Sequence, residues 1–356
     1  MTEVVEIPIE TWPGTVREVT LGAAAADGGS RAQTVTVGGE KTLPFLGFEA
    51  VNAHRPALAV EINDLDPRVW SPELAAAWEG VAGDPAAWAA RAVEAGAELI
   101  ALRLRGAHPE FGDASAEHCV ATVQSVLGAV GVPLVVYGPG VAEKDNEVLV
   151  AVAEATKGER LALGLCEDKN YRTIVAATLG NGHLVIAFSP IDVNLAKQLN
   201  ILISDMGLTL DRVLMDPNTG ALGYGIEYTF SVMERLRLAA LMGDAMTQQP
   251  MICNLGEESW RQKESRVAEG VPAAWGTLAL RGQAWEVTTA LTVLEAGADI
   301  VVLRHPGSLA AVRGALDDLT GADDGSGVGA GAGPGAGVGA GAGAGVGGAG
   351  AATKGA

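Results

Sequence analysis

Eight short apolar runs, each ended by polar or charged residues and followed by a stretch with helical spacing, recur along residues 56–316. The runs are Ala57–Asn63, Glu98–Leu104, Val132–Tyr137, Leu161–Cys166, His183–Phe188, Val213–Asp216, Met251–Asn254 and Asp299–Arg304. Strands that alternate with helices predict parallel βαβ units, and eight such units are the number that closes a barrel. We therefore predict an α/β fold with a TIM (β/α)8 barrel over residues 56–320, whose functional groups lie at the carboxyl ends of its strands.

The stretches between the apolar runs carry signals for the first residue of a helix. A short polar side chain that precedes an apolar stripe, or precedes proline, favours an N-cap. The expected N-cap residues are Asp84, Ser115, Asp192 and Ser308.

Residues 1–55 have a different pattern from the barrel segment. Val16–Leu21 and Gln33–Val37 are rich in β-branched residues, and Gly38-Gly39 separates Thr34–Val37 from Lys41–Phe45. Two glycines between such runs favour a tight hairpin turn. We predict an N-terminal β-hairpin extension that caps one end of the barrel, or alternatively an extension that docks on another subunit.

Residues 321–356 consist mainly of glycine and alanine, with glycine at every second position from Gly325 to Gly347. Such a segment has almost no charge and no large apolar group, so burial cannot offset the entropy lost on ordering. We predict a disordered, flexible tail. Silk-like strand stacking is the alternative.

The segment from Leu255 to Gly282 is longer than the other connections after a predicted strand. Connections of this length usually have a function or contain an additional short helix. We expect a lid or a docking surface here.

The composition excludes several classes of protein. The net charge of −19 argues against nucleic acid as a partner. Three scattered cysteines without a C-x-x-C pair predict no zinc site, no iron–sulfur cluster in this chain and no disulfide framework. The acidic amino terminus lacks a signal-peptide pattern, and no apolar run reaches the ~18 residues of a membrane span, so a cytoplasmic location without membrane contact is expected.

Polar side chains follow almost every predicted strand, and the barrel rule places them around one opening. They are Glu61, Asn63, Asp64, Arg103, Glu167, Asp168, Asn170, Ser189, Asp216, Asn218, Thr219, Asn254, Arg304 and His305. We find no zinc-protease, dinucleotide-binding or nucleophile-elbow motif among them, so no catalytic residue and no metal ligand is assigned. Each residue alone could also be an ordinary solvated strand end.

The segment that begins at Asp216 is the most distinctive part of the chain. Gly220, Gly223 and Gly225 permit a close approach to a bulky ligand or a positive φ, and Tyr224 adds a flat amphipathic surface. The simpler interpretation is a long turn that leads into an amphipathic helix.

Three segments, Asp216–Leu241, Phe188–Leu202 and Ile300–Pro306, resemble the small (delta) subunit of the corrinoid iron–sulfur protein. That protein belongs to the CO dehydrogenase/acetyl-CoA synthase (acetyl-CoA decarbonylase/synthase) complex of the Wood–Ljungdahl pathway. The resemblance covers roughly residues 45–320. It implies a TIM barrel paired with a large (gamma) subunit, which supplies the iron–sulfur cluster and holds a corrinoid of the cobalamin type.

The resemblance implies that the corrinoid is shared between the large subunit and the mouth of this barrel. The methyl group on cobalt would pass from a methyltetrahydrofolate or methyltetrahydropterin methyltransferase to acetyl-CoA synthase, and this chain would supply binding and electrostatics. The residues expected to bind the corrinoid are Glu61, Asp168, Ser189, Asp216, Asn218, Thr219, Tyr224, Asn254 and Arg304. The alternatives are a pterin-binding methyltransferase barrel and a scaffold subunit that binds no ligand.

Overall fold

The computed structural model describes residues 7–65, 70–217 and 219–321. Two short strands come first, β1 (Val19–Leu21) and β2 (Val35–Val37). The eight that follow are β3 (Ala57–Asn63), β4 (Leu99–Arg103), β5 (Leu134–Tyr137), β6 (Ala162–Cys166), β7 (Leu184–Phe188), β8 (Val213–Asp216), β9 (Ile252–Cys253) and β10 (Ile300–Leu303).

Strands β3 to β10 form one parallel sheet with the spatial order β8-β7-β6-β5-β4-β3-β10-β9. The two edge strands meet through a parallel bridge between Met215 and Met251. The Met215 amide also donates to the Pro250 carbonyl oxygen at 2.8 Å. The sheet therefore closes on itself, and the predicted TIM barrel is confirmed.

Helices separate the strands and cover the outside of the barrel. They are α1 (Pro72–Ala77), α2 (Pro85–Glu94), α3 (Ala116–Ala129), α4 (Ala142–Ala155), α5 (Tyr171–Asn181), α6 (Val193–Asp205), α7 (Ile226–Leu241), α8 (Leu255–Arg261), α9 (Leu278–Glu295) and α10 (Pro306–Thr320). Asp84, Ser115 and Asp192 accept hydrogen bonds from amides in the first turns of α2, α3 and α6. These three predicted N-caps are confirmed.

The fourth predicted N-cap is wrong. Helix α10 begins at Pro306, and Ser308 is buried in its first turn. His305 is the N-cap, because its Nδ1 accepts a hydrogen bond from the Gly307 amide at 2.9 Å. Proline suits the first helical position because its φ is already helical and it has no amide hydrogen to satisfy.

Strands β1 and β2 form an antiparallel pair in which Val19 lies opposite Val37. Val19, Leu21 and Val37 pack against residues inside the barrel. Backbone hydrogen bonds join this cap to the segments that precede three strands: Ala32 to Gly131, Gly22 to Arg160, and Arg17 to Gln248. The cap therefore covers the amino-terminal end of the barrel.

The predicted hairpin turn at Gly38-Gly39 is wrong, because strand β2 pairs with the preceding strand β1 and no strand forms at Lys41–Phe45. Both glycines instead adopt a positive φ, which other residues rarely do. Gly38 has a φ of +91°, and a Cβ there would lie 1.9 Å from the Arg17 carbonyl oxygen. Glycine at position 38 therefore lets the chain pass next to the backbone of Arg17, just before β1.

The segment from Leu255 to Gly282 contains the short helix α8, as expected for a connection of its length. The three cysteines are buried and free of disulfides. Within the described ranges, no helix is both long and apolar enough to cross a membrane. The predicted tail lies outside the described residues apart from Gly321, and the boundaries at residues 55 and 320 stay predictions.

We predict that Gly38→Ala destabilises the protein by about 2 kcal/mol or more, since a left-handed backbone alone costs an alanine ~1–2 kcal/mol and the collision with Arg17 adds to it. Gly314→Ala is the matched control, because this exposed glycine inside α10 has no neighbour within 4 Å. That control should gain about 0.5–1 kcal/mol. Urea unfolding measures both, and equal effects in the two variants would contradict the prediction.

Candidate functional site

The two-residue period of the strands places charged side chains inside the carboxyl end of the barrel. In β3, Ala57 and Ala59 belong to the interior cluster, so Glu61 and Asn63 face the interior as well. The same alternation applies to the other strands. The interior positions at their carboxyl ends are Glu61, Asn63, Arg103, Tyr137, Asp216, Asn254 and Arg304.

A buried ion pair joins neighbouring strands at this end. Glu61 has no exposed surface, and Arg304 is 4% exposed. The Arg304 Nε donates to Glu61 Oε1 at 3.1 Å, and Arg103 Nη2 lies 3.6 Å from Glu61 Oε2. One carboxylate therefore bridges two guanidinium groups and balances one of their two positive charges.

Helix α8 contributes a second carboxylate, that of Glu257, to this group of charges. Glu257 Oε2 lies 3.1 Å from Arg103 Nη2 and 4.0 Å from Arg304 Nη2, and Glu257 Oε1 lies 3.9 Å from Arg105 Nη1. The Arg103 guanidinium, against the opposing effect of burial, lowers the pKa of Glu257 to about 2. Burial alone would lower the pKa of Arg103, but Glu257 and Glu61 together raise it. Both groups stay charged at neutral pH.

A buried carboxylate on α9 holds the backbone that carries Arg304. Glu286 has no exposed surface, and its two oxygens accept hydrogen bonds from the amides of Arg304 at 2.6 Å and His305 at 3.2 Å. Gly256 lets α8 approach closely, because a Cβ there would lie 2.9 Å from Arg304 Cγ. The position of Arg304 is thus fixed by two helices.

The His305 ring stacks on Trp260, with ring centroids 5.7 Å apart. Burial lowers the pKa of His305 to about 4. At neutral pH its imidazole is therefore uncharged, which suits a ring whose Nδ1 accepts the N-cap hydrogen bond.

Several polar atoms at this end are buried and have no hydrogen-bond partner. They are Asn63 Oδ1, Arg103 Nε, Tyr137 Oη, Thr219 Oγ1 and Asn254 Oδ1, together with Glu61 Oε2, which has only the ion pair with Arg103. The Arg103 guanidinium lies 4.8 Å from the centre of the Tyr137 ring. Burial raises the pKa of Tyr137 well above its ordinary value, so this phenol stays protonated. A folded interior rarely leaves so many polar atoms unpaired in one place.

The structure brings part of the predicted site together. Glu61 and Arg304 form the buried pair, and Asp216, 4% exposed, interacts electrostatically with Arg103 and Tyr137. Asn254 contributes one of the unpaired atoms at the end of β9.

The other predicted residues have different surroundings. Thr219 is buried beside Cys253, and the Ser189 amide donates to the Asp216 carbonyl oxygen at 3.0 Å. The Tyr224 hydroxyl donates to Glu264 Oε2 at 2.8 Å, and Asp168 is exposed. Asn218 lies outside the described residues.

The glycines after β8 fold this segment onto itself. The Gly220 amide donates to Thr229 Oγ1 at 2.7 Å, and a Cβ on Gly220 would lie 2.8 Å from the Gly225 carbonyl carbon. Gly223 and Gly225 have positive φ. The simpler interpretation, a turn that leads into the helix α7, is therefore confirmed.

Tyr137, Glu257 and Glu286 belong to the site without a prediction from the sequence, and the strand pattern predicts Asn63 and Arg103 only as polar strand ends. The alternation from Val135 to Tyr137 is the signal that could have identified Tyr137. Glu257 and Glu286 come from helices α8 and α9, whose approach to the opening depends on tertiary packing.

We predict that Glu61→Gln destabilises the protein by about 3 kcal/mol, because it leaves two buried guanidinium groups without their shared carboxylate. Glu94→Gln, at an exposed position in α2, is the control and should change stability by less than ~0.5 kcal/mol. Urea unfolding at neutral pH measures both free energies. A loss below ~1 kcal/mol in Glu61→Gln would show that Arg103 and Arg304 do not depend on this carboxylate.

We also predict that His305 makes the protein sensitive to acid. Its pKa of about 4 in the folded state lies below the ordinary 6.5, so the unfolded chain binds the proton more readily. The stabilisation is complete above pH 6.5 and is lost as the pH falls towards 4. His305→Asn keeps an N-cap acceptor, and its free energy of unfolding should fall less than that of the parent between pH 7 and pH 4.5. Burial also lowers the pKa of His183, which both proteins share, so an equal fall in the two proteins would contradict the prediction.

The comparisons with known proteins identify relatives over most of the chain. A family model described as CO dehydrogenase/acetyl-CoA synthase delta subunit matches residues 18–312. The acetyl-CoA decarbonylase/synthase complex subunit delta of Archaeoglobus fulgidus is 37% identical over 324 residues, which cover 89% of this chain and 71% of that protein. The subunit of the same name from Methanopyrus kandleri is 39% identical over 307 residues, which cover 85% of this chain and 75% of that protein.

Solved structures agree with the fold. Xanthomonas albilineans dihydropteroate synthase with 4-aminobenzoic acid has a TM-score of 0.52 at 16% identity, covering 76% of this chain and 94% of that one. The same enzyme in complex with 7,8-dihydropteroate has a TM-score of 0.53 at 17% identity, covering 76% and 95%. At these identities the likeness concerns the fold alone. From the family model and the two archaeal relatives we conclude that the chain belongs to the CO dehydrogenase/acetyl-CoA synthase delta subunit family.

Proposed function

We propose that this chain is the small subunit of a corrinoid iron–sulfur protein, and that the carboxyl end of its barrel covers a corrinoid held mainly by the large (gamma) subunit. The observation that carries the proposal is the cluster of buried charges and unpaired polar atoms at that end. If the barrel had only a structural role, burying these charges and polar atoms at this end would not increase its stability.

The residues at the opening fit a corrinoid in their chemistry. A corrin ring is broad and apolar on its faces, and its edge carries amide groups that donate and accept hydrogen bonds. Asn254 Oδ1 is a buried acceptor without a partner, and Asp216 and Thr219 are buried nearby. Arg304 cannot swing away, because Glu61 holds its side chain and Glu286 holds its amide.

When bound, the corrinoid supplies the cobalt that carries the methyl group. The chain itself supplies binding, orientation and exclusion of water. We assign no bond-making residue to it. Its fixed ion pairs present a charge pattern that does not need to reorganise when a ligand arrives.

The partners follow from the same proposal. The large subunit would carry the iron–sulfur cluster, and a methyltetrahydrofolate or methyltetrahydropterin methyltransferase and acetyl-CoA synthase would deliver and receive the methyl group. Membership of the family, whose relatives are named as subunits of an acetyl-CoA decarbonylase/synthase complex, supports these partners. Free cysteines fit a reducing compartment, which supports a cytoplasmic location.

The test is to purify the chain together with the large subunit and to record the visible spectrum. We expect corrinoid bands in the complex and a five- to tenfold weaker retention of corrinoid in the Asp216→Asn complex, which corresponds to about one lost polar contact of ~1–1.4 kcal/mol. Circular dichroism should show an intact barrel. Glu94→Gln is again the control.

Two results would contradict the proposal. One is that Asp216→Asn and the parent retain corrinoid equally. The other is that the large subunit alone holds its corrinoid as firmly as the complex does.

A further inference from the structure

A cavity of about 320 Å³ lies at the amino-terminal end of the barrel, at the opposite end from the buried ion pairs. Its lining comes from the segment 44–56 that leads into β3, from the residues just before β10, and from the C-terminal ends of α9 and α10. Gly47, Val51 and Ala53 are exposed, so the cavity opens to solvent. Its volume lies at the lower end of the ~300–1,000 Å³ range of small-ligand sites.

Part of the lining is apolar. It includes Pro44, Phe45, Val51, Leu294 and Leu319. Val51 is 85% exposed and Leu319 is 45% exposed, so both side chains present apolar surface to water at the opening. A ligand with an apolar body would cover this surface and would gain the free energy of its burial.

Two arginines in the lining have incomplete hydrogen bonding. Arg237 is buried, and its Nη1 and Nη2 donate to Glu40 Oε2 at 3.0 Å and Asp299 Oδ2 at 2.8 Å. Arg55 is partly exposed, and its Nη2 donates to Glu98 Oε1 at 2.5 Å. Arg237 Nε and Arg55 Nη1 have no partner, and they are the two buried unpaired side-chain atoms among the described residues of the lining.

The unpaired atoms are both N–H donors, so the group that complements them is an acceptor. A carboxylate has two acceptor oxygens and no donor, and arginine binds it more strongly than it binds a neutral acceptor. Because the Arg55 side chain is partly exposed, a carboxylate that enters the cavity would pair with it after a rotation of the guanidinium group.

The charges around the cavity favour a single negative charge on the ligand. Glu40 and Asp299 also belong to the lining, and the C-terminal ends of α9 and α10 carry partial negative charge. Both features would repel a polyanion. A cation would instead meet the guanidinium groups of Arg55 and Arg237.

We propose that this cavity is a binding site for a small monocarboxylate with an apolar body. The carboxylate pairs with Arg55 at the opening, and the apolar body covers Val51 and Leu319. The site is separate from the carboxyl end of the barrel, and its occupation does not depend on a corrinoid.

The first experiment measures the affinity of the full chain for three probes by calorimetry. Octanoate carries the carboxylate, octanol keeps the chain without the charge, and octylamine reverses the charge. Octanoate should bind at millimolar concentration or below, and about tenfold more tightly than octanol, since hydrogen bonds to charged groups are the stronger ones. Octylamine should bind more weakly than either.

The second experiment uses Arg55→Met, which keeps an unbranched stem and removes the guanidinium group. The affinity for octanoate should fall about tenfold, and the affinity for octanol should not change. Arg313→Met is the matched control. Arg313 Nη1 lies 3.7 Å from the same Glu98 carboxylate and the side chain is similarly exposed, but it does not line the cavity. This variant should bind octanoate as the parent does.

A third experiment tests the apolar contact. Leu319→Ser should weaken octanoate binding about threefold, because less apolar surface is covered. Leu179→Ser is its control, since Leu179 is 41% exposed on α5 and does not line the cavity. Melting temperatures show whether each variant is folded.

Four results would overturn the inference. Octanoate does not bind at millimolar concentration, or octanol or octylamine binds as tightly as octanoate. Arg55→Met binds octanoate as tightly as the parent, or Arg313→Met weakens binding as much as Arg55→Met does. The last result would mean that the Glu98 ion pairs, and not a contact between Arg55 and the ligand, determine the affinity.

Discussion

The carboxyl end of this barrel is organised around one carboxylate that has no contact with water. Glu61 neutralises Arg304 directly and Arg103 at slightly longer range. Without it, the two guanidinium groups would share the single carboxylate of Glu257, and one of their two positive charges would lack a balancing charge. The positions of Glu257 and Tyr137 follow from this arrangement, because one pairs with Arg103 and the other lies beneath its guanidinium plane.

Much of the barrel could be predicted from the sequence because each strand is a short apolar run that is followed by a stretch with helical spacing. The bounds of β3 and β8 coincide with the runs Ala57–Asn63 and Val213–Asp216. The same two-residue period also brings Glu61 and Arg304 into the interior. Local signals sufficed here, since the helix caps and the strand ends depend on residues that are adjacent in sequence.

What could not be predicted depends on contacts between distant segments. The pairing of β1 with β2 follows from the burial of Val19 and Val37 in the barrel interior, and the two glycines after β2 gave a misleading turn signal. Glu257 reaches Arg103 across two intervening strands, β10 and β3. No sequence pattern within the Leu255–Gly282 segment indicates that Glu257 contacts Arg103.

Helix α8 packs closely against its neighbours at two glycines. Gly256 lies against Arg304, and Gly282 on α9 leaves room for the Trp260 ring, which a Cβ would approach within 2.7 Å. These close contacts hold α8 against Arg304 and α9, and they place the Glu257 carboxylate beside Arg103. A molecule that bound at this face would therefore meet a closely packed surface, and little conformational entropy would be lost on that side.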